Sequence, residues 1–123
     1  MPESKTYTGG CHCGANKFSI PISPPLDSPE QNLMNCNCSI CARNGYIFIF
    51  TSEDAFDWKS GGFSSMTEYK FKTGKFKHYF CPTCGTSVCV NAEGMGVGLN
   101  VRTIDDIDVG SLKITKTYDG KSI

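Results

Sequence analysis

The chain has 123 residues with 12 Lys+Arg against 12 Asp+Glu, so one domain is the natural count and no basic surplus argues for nucleic acid or a membrane surface. The longest apolar run, Tyr46 to Phe50, falls far short of a bilayer span, and Met1-Pro2-Glu3-Ser4-Lys5 lacks the apolar stretch of a secretory signal. The expected compartment is therefore reducing, the cytoplasm or the nucleus, where eight cysteines point to metal or redox chemistry rather than to disulfides.

In chain order, Lys17-Phe18-Ser19-Ile20 reads as a strand, and Ser23-Pro24-Pro25-Leu26-Asp27-Ser28-Pro29 as a loop, because proline cannot donate to a ladder. A helical turn or two follows Cys41. Tyr46-Ile47-Phe48-Ile49-Phe50 reads as a strand buried on both faces. Ser52 is placed to cap a short helix over Glu53 to Trp58. Tyr69 to Lys72 and Phe76 to Phe80 flank Thr73-Gly74, a hairpin signal, and Thr86 to Val90 reads as a further strand. Met95, Val97, Leu99 and Val101 alternate with Gly96, Gly98 and Asn100, which predicts a half-buried strand. Leu112 to Thr115 is the last expected strand. The expected fold class is mainly β, a single small antiparallel domain over residues 9–118, with an N-terminal extension at 1–8 and a C-terminal tail at 119–123. A domain of this size buries a modest core and benefits from a staple.

The cysteines group by spacing as Cys11-x-Cys13, Cys36-x-Cys38-x-x-Cys41, Cys81-x-x-Cys84-Gly85 and the singleton Cys89. Zinc takes four soft ligands at tetrahedral corners about 2.3 Å away. A Cys-x-x-Cys turn aims two sulfurs at one ion, and a Cys-x-Cys pair on an extended segment puts both on one face. Cys11 and Cys13 with Cys81 and Cys84 would close one four-thiolate site and tie the N-terminus to a distant hairpin end. Cys36, Cys38 and Cys41 offer three ligands and an open position, the pattern of a catalytic zinc. Spacing alone also permits Cys36 and Cys38 to pair with Cys81 and Cys84.

Read together, Gly9-Gly10-Cys11-His12-Cys13-Gly14, Asn35-Cys36-Asn37-Cys38-Ser39-Ile40-Cys41 and Phe80-Cys81-Pro82-Thr83-Cys84-Gly85-Thr86 resemble the glutathione-dependent formaldehyde-activating enzyme family, which includes the domain of centromere protein V. Leu99 to Asp105 resembles that family's closing segment, and the likeness runs from Gly9 to Asp108. The resemblance implies a β-tent fold with two zinc ions per chain. Cys11, Cys13, Cys81 and Cys84 would hold the structural ion, and Cys36, Cys38 and Cys41 the catalytic one. It also implies a carbon–sulfur lyase that joins a small thiol such as glutathione to a small aldehyde such as formaldehyde, or cleaves the S-hydroxymethyl adduct.

Other residues admit plainer readings. Cys81 and Cys84 could form a redox dithiol, but such pairs precede a helix, whereas a strand is expected here. His12, His78 or Cys89 could complete a second structural site around Cys36, Cys38 and Cys41. Against this, Cys89 sits in an apolar strand, His12 alternates away from the sulfurs, and His78 shares a face with Phe76 and Phe80. Arg43, two residues past Cys41, is the candidate contact for a carboxylate of the thiol substrate. Asn100 and Arg102 share the expected strand face, and Asp105 and Asp106 suit a turn. A non-catalytic zinc-binding interaction module and a thiol-binding protein are the competing functions.

Overall fold

The computed structural model describes residues 3–70 and 74–122. The strands are β1 (Lys5–Gly10), β2 (Lys17–Ile22), β3 (Leu33–Cys36), β4 (Phe48–Thr51), β5 (Asp57–Ser60), β6 (Thr67–Lys70), β7 (Phe76–Phe80), β8 (Ser87–Ala92), β9 (Gly96–Asn100) and β10 (Ile114–Tyr118). One α-helix, α1 (Ser39–Asn44), lies between β3 and β4. A three-stranded sheet runs β1-β2-β5 and a seven-stranded sheet runs β10-β3-β4-β9-β8-β7-β6. All pairings are antiparallel except β10 with β3, which is parallel. The fold is mainly β, as expected. Among the described residues, no helix is long and apolar enough to cross a membrane.

Period-two alternation explains how the two sheets share a core. Phe18, Ile20 and Ile22 of β2 and Tyr7 of β1 are buried, and they join Ile49, Val88, Val97 and Leu99 from the larger sheet in one cluster. Burying each such side chain stabilises by about 1.5–3 kcal/mol, before the entropy of ordering is subtracted. The opposite face of β4 and β8 presents Phe48 and Val90 to a second cluster that includes Cys41 and Tyr46, which precedes β4. The segment Tyr46 to Phe50 is thus apolar on both faces because one face meets the core and the other meets the cavity described below. Gly9 bridges to Ile104, and the Asp105 N–H donates to the Thr8 carbonyl at 2.8 Å, so the backbone ties β1 to the segment that follows β9.

Several expectations shift. Residues 53–55 form a single 3-10 turn with no side-chain hydrogen bond from Ser52, and Trp58 lies on strand β5, not on a helix. Phe56 and Trp58 are two apart, and their rings stack at 5.3 Å while each meets Phe18 edge-on. That contact with β2 rewards an extended chain over a helical one. Helix α1 begins before Cys41 and contains it. Met95 lies before β9 and is 38% exposed, so the buried face begins at Val97. The last strand runs Ile114–Tyr118, later than expected. Strands β6 and β7 pair as the hairpin signal implies, with Lys70 opposite Lys77, but Phe71 and Lys72 of the expected strand and Thr73 of the expected turn lie outside the described residues. Strands β1, β3 and β5 had no clear signal in the sequence. The ends of the expected domain do not coincide with the sheet edges: β1 begins at Lys5, within 1–8, and residues 119–122 fold back onto Cys36 and Asn37.

Candidate metal centres

Two groups of thiols come together, Cys11, Cys13, Cys81 and Cys84 in one and Cys36, Cys38 and Cys41 in the other, each with its sulfurs within 4.8 Å of one another. The alternative pairing of Cys36 and Cys38 with Cys81 and Cys84 is not formed. All eight cysteines are free of disulfides, and Cys89 is fully buried in the core, apart from both groups.

The four-cysteine group is made by two turns that face each other. Cys11 and Cys13 follow β1, whose backbone closes with the Cys11 N–H donating to the Asn16 carbonyl at 3.0 Å. Cys81 and Cys84 lie in the β7–β8 connection, where the Gly85 N–H donates to the Cys81 carbonyl at 2.8 Å and Gly85 takes φ 79°. That left-handed conformation is what a glycine permits after such a turn. The chain leads from Cys84 into β8, not into a helix, so the redox context is missing. The Cys11–Cys13 and Cys13–Cys81 sulfurs are each 3.7 Å apart. A tetrahedron with 2.3 Å metal–sulfur bonds has edges of about 3.8 Å, so these two pairs stand at the spacing a zinc-type ion requires, and all four sulfurs lie within 4.8 Å of one another.

Asn16, 1% exposed, is a site residue that sequence reasoning missed. It donates to Cys11 Sγ from its backbone N–H at 3.3 Å and from Nδ2 at 3.6 Å. Its Oδ1 accepts from the Gly62 N–H and the Ser65 hydroxyl, which fixes the amide. A buried asparagine three residues past Cys13 was the available signal. The Cys11 thiol is lowered because these Asn16 hydrogen bonds outweigh the burial that opposes ionisation. Cys84 is lowered to about 5, chiefly by Thr86, whose hydroxyl sits 3.2 Å from the sulfur. His12 is exposed in a turn, not on a strand, and belongs to neither thiol group; its backbone N–H donates to Thr86 Oγ1.

The three-cysteine group sits where β3 meets α1. Cys36 ends β3, Cys38 occupies the position before the helix, and Cys41 is buried one turn in. Burial opposes ionisation of Cys38, but the Cys41 backbone N–H and the neighbouring thiols pull it down, whereas burial pushes Cys41 up. A cavity of about 470 Å³ is lined by all three, with Phe48, Phe50 and Phe76 among the other walls. The segment 118–121 crosses beside the sulfurs. The Asn37 N–H donates to the Tyr118 carbonyl, its Nδ2 donates to Asp119 Oδ1, and its Oδ1 accepts from the Lys121 N–H. A Cβ on Gly120 would stand 2.6 Å from Cys36 Sγ, so only glycine lets the backbone pass this close.

The remaining candidates fall elsewhere. Arg43 is exposed on α1 and is not among the cavity-lining residues; the cation there is Lys121. Asn100 and Arg102 do not share a strand face, because β9 ends at Asn100 and residues 101–103 form a 3-10 turn. Asn100 Nδ2 donates to the Ser87 carbonyl, and Arg102 Nε donates to the Gly45 carbonyl at 2.7 Å, which closes the end of α1. Asp105 accepts from the Thr8 hydroxyl, a structural role. His78 is buried, lines the cavity, and places Nδ1 3.3 Å from the Tyr46 hydroxyl. Burial holds its pKa down at about 4 and raises Tyr46 to about 12.

Fold and site together define a small β domain that gathers seven thiols into two separate clusters able to hold metal, one four-fold and one three-fold beside a cavity. Residues 6–117 match the family of the glutathione-dependent formaldehyde-activating enzyme, and the chain belongs to that family. It is also similar to the crystal structure of a Rhodobacter sphaeroides protein, 27% identical, with a TM-score of 0.72 over 89% of this chain and 98% of that one.

Proposed function

We propose that both clusters hold zinc, two ions per chain, and that the protein joins a small thiol to a small aldehyde, or cleaves the product, at the three-cysteine site. The observation that carries the reading is the placement of Cys36, Cys38 and Cys41 on the wall of a cavity of about 470 Å³. Three sulfurs from the chain leave one tetrahedral corner for a ligand that enters the cavity. Zinc bound there would supply a Lewis acid that favours the ionised form of an incoming thiol. In the addition, the thiol sulfur forms a bond to the carbonyl carbon, and the carbonyl oxygen takes up the proton. In cleavage the same carbon–sulfur bond breaks and both groups return.

The chain's own residues hold the three sulfurs by local structure. Helix α1 sets Cys38 and Cys41 one turn apart, with the Ala42 N–H donating to the Cys38 carbonyl at 2.9 Å. Asn37 ties the loop between Cys36 and Cys38 to residues 118–121. The four-cysteine cluster supports the fold by joining the end of β1 to the β7–β8 connection, and metal binding there adds directly to folding free energy.

The test is zinc X-ray absorption on protein purified with both ions, before and after addition of a thiol. Average ligation should move towards all sulfur with a thiol and stay unchanged with the corresponding S-methyl thioether, which cannot ionise. Adduct formation and cleavage are then timed against the uncatalysed reaction, since thiols add to formaldehyde unaided. Ligation that is indifferent to millimolar thiol would sink the reading. A ligation change without acceleration would leave a thiol-binding protein.

A further inference from the structure

Away from the sulfurs, the cavity beside the three-cysteine site is mostly apolar, with Asn37, Ser39, His78 and Lys121 as its polar residues. Met34, Phe48, Phe50, Phe76, Val90 and Met95 line it. Its rings are positioned by packing: Phe48 stacks on Tyr46 at 4.8 Å and meets Phe50 at 5.9 Å. Phe50 and Met95 remain 36% and 38% exposed, so large apolar surface borders the opening. Apolar surface gathered in a concave site marks a place for an apolar ligand.

The charges point the same way. Among the described lining residues there is one cation, Lys121, and no Asp or Glu. Glutathione carries two carboxylates and an ammonium besides its thiol. The lining could receive one carboxylate and offers no acidic partner to the ammonium, and enclosing an unpaired charge against phenylalanine rings is costly. Tyr118, Gly120 and Lys121 complete this wall.

The geometry points to a thiol with an aromatic or branched alkyl body and a single carboxylate as the ligand of the three-cysteine site, with Lys121 receiving the carboxylate. This rests on the thiol reading of that site. The sulfur lies at Cys36, Cys38 and Cys41, the body lies along Phe48, Phe50 and Phe76, and the carboxylate lies at the rim.

Four probes separate the parts of the inference on zinc-loaded full-length protein: 4-(mercaptomethyl)benzoate, phenylmethanethiol, glutathione and 2-mercaptoethanol. Calorimetry gives each Kd, referred to the ionised thiol, and zinc X-ray absorption reports whether sulfur has been added. The benzoate should bind at least about ten-fold tighter than glutathione, a difference of about 1.4 kcal/mol. Phenylmethanethiol should fall between them. Lys121→Met should reduce the benzoate to the level of phenylmethanethiol, and Phe50→Asn should weaken both aromatic thiols relative to 2-mercaptoethanol. Glutathione binding as tightly as the benzoate, with sulfur added at zinc, would overturn the apolar class while leaving the thiol reading intact. An unchanged benzoate Kd in Lys121→Met would remove the carboxylate contact. If no probe adds sulfur at zinc, the thiol reading falls and takes this inference with it.

Discussion

Asn16 shows how much of a thiol cluster can depend on a residue that is not a ligand. Its two donors reach Cys11 Sγ while its Oδ1 is occupied by Gly62 and Ser65, so one side chain couples the sulfur to the segment after β5. Asn16→Ala keeps the backbone donor but removes one donor from the sulfur and the acceptor of the Gly62 N–H, while the Ser65 hydroxyl keeps the Gly62 carbonyl. The expected loss is about 2 kcal/mol, read from the denaturant midpoint at unchanged slope, together with faster loss of one metal ion to a chelator. An unchanged midpoint would show that the network is not holding Cys11. His78 gives a second expectation at this scale. Burial lowers it from 6.5 to about 4, so the unfolded chain takes up the proton first as pH falls. The stability this group contributes is complete above pH 6.5 and is lost as pH falls through 4, about 2 kcal/mol of it by pH 5. Ring-proton shifts of His78 should therefore stay at neutral values from about pH 8 down to about pH 5, and a midpoint near the ordinary value would refute the burial argument.

Among the elements, the segment that follows β10 matters most to the site. The parallel pairing of β10 with β3 places Tyr118 opposite Cys36, and the Asn37 hydrogen bonds then lay residues 119–121 beside the sulfurs. Gly120→Ala forces a methyl group against Cys36 Sγ and should displace this segment without touching the core. The expected result is chelator-driven metal loss from the three-cysteine site at least about ten-fold faster, with the unfolding midpoint changed by less than about 1 kcal/mol. Metal release at the parental rate would show that the segment does not bear on the cluster. Helix α1 has six residues, too few to persist alone, and its place is held by the Arg102 bond to the Gly45 carbonyl and by burial of Cys41.

At the level of the whole molecule, the two clusters carry different mechanical loads. Cys11 and Cys13 are brought to Cys81 and Cys84 across about 70 residues of chain, a long loop whose closure by a metal ion would add to folding free energy. Cys36, Cys38 and Cys41 close only a local turn. Cys84→Ser should therefore yield insoluble or unfolded chain, whereas Cys38→Ser should remain folded and retain one zinc by elemental analysis. Equal loss of folding in the two variants would mean that both clusters are structural, and the non-catalytic module would then be the better account.

The sequence alone was sufficient for the mainly β class, the three ordered cysteine motifs, strand β2 and the buried Val97, Leu99 and Val101, because these rest on local spacing and on period two. Cys89 as a core residue was legible for the same reason: it interrupts no apolar pattern. Tertiary structure decided the rest. It chose between the possible cysteine pairings by bringing the end of β1 to the β7–β8 turn, a contact that no local spacing encodes. It made Trp58 part of a strand because Phe18 was there to receive it. It placed Lys121, not Arg43, at the cavity, because the parallel pairing of β10 with β3 returns the chain end to Cys36, and a pairing across 82 residues is set by the packing of the whole sheet.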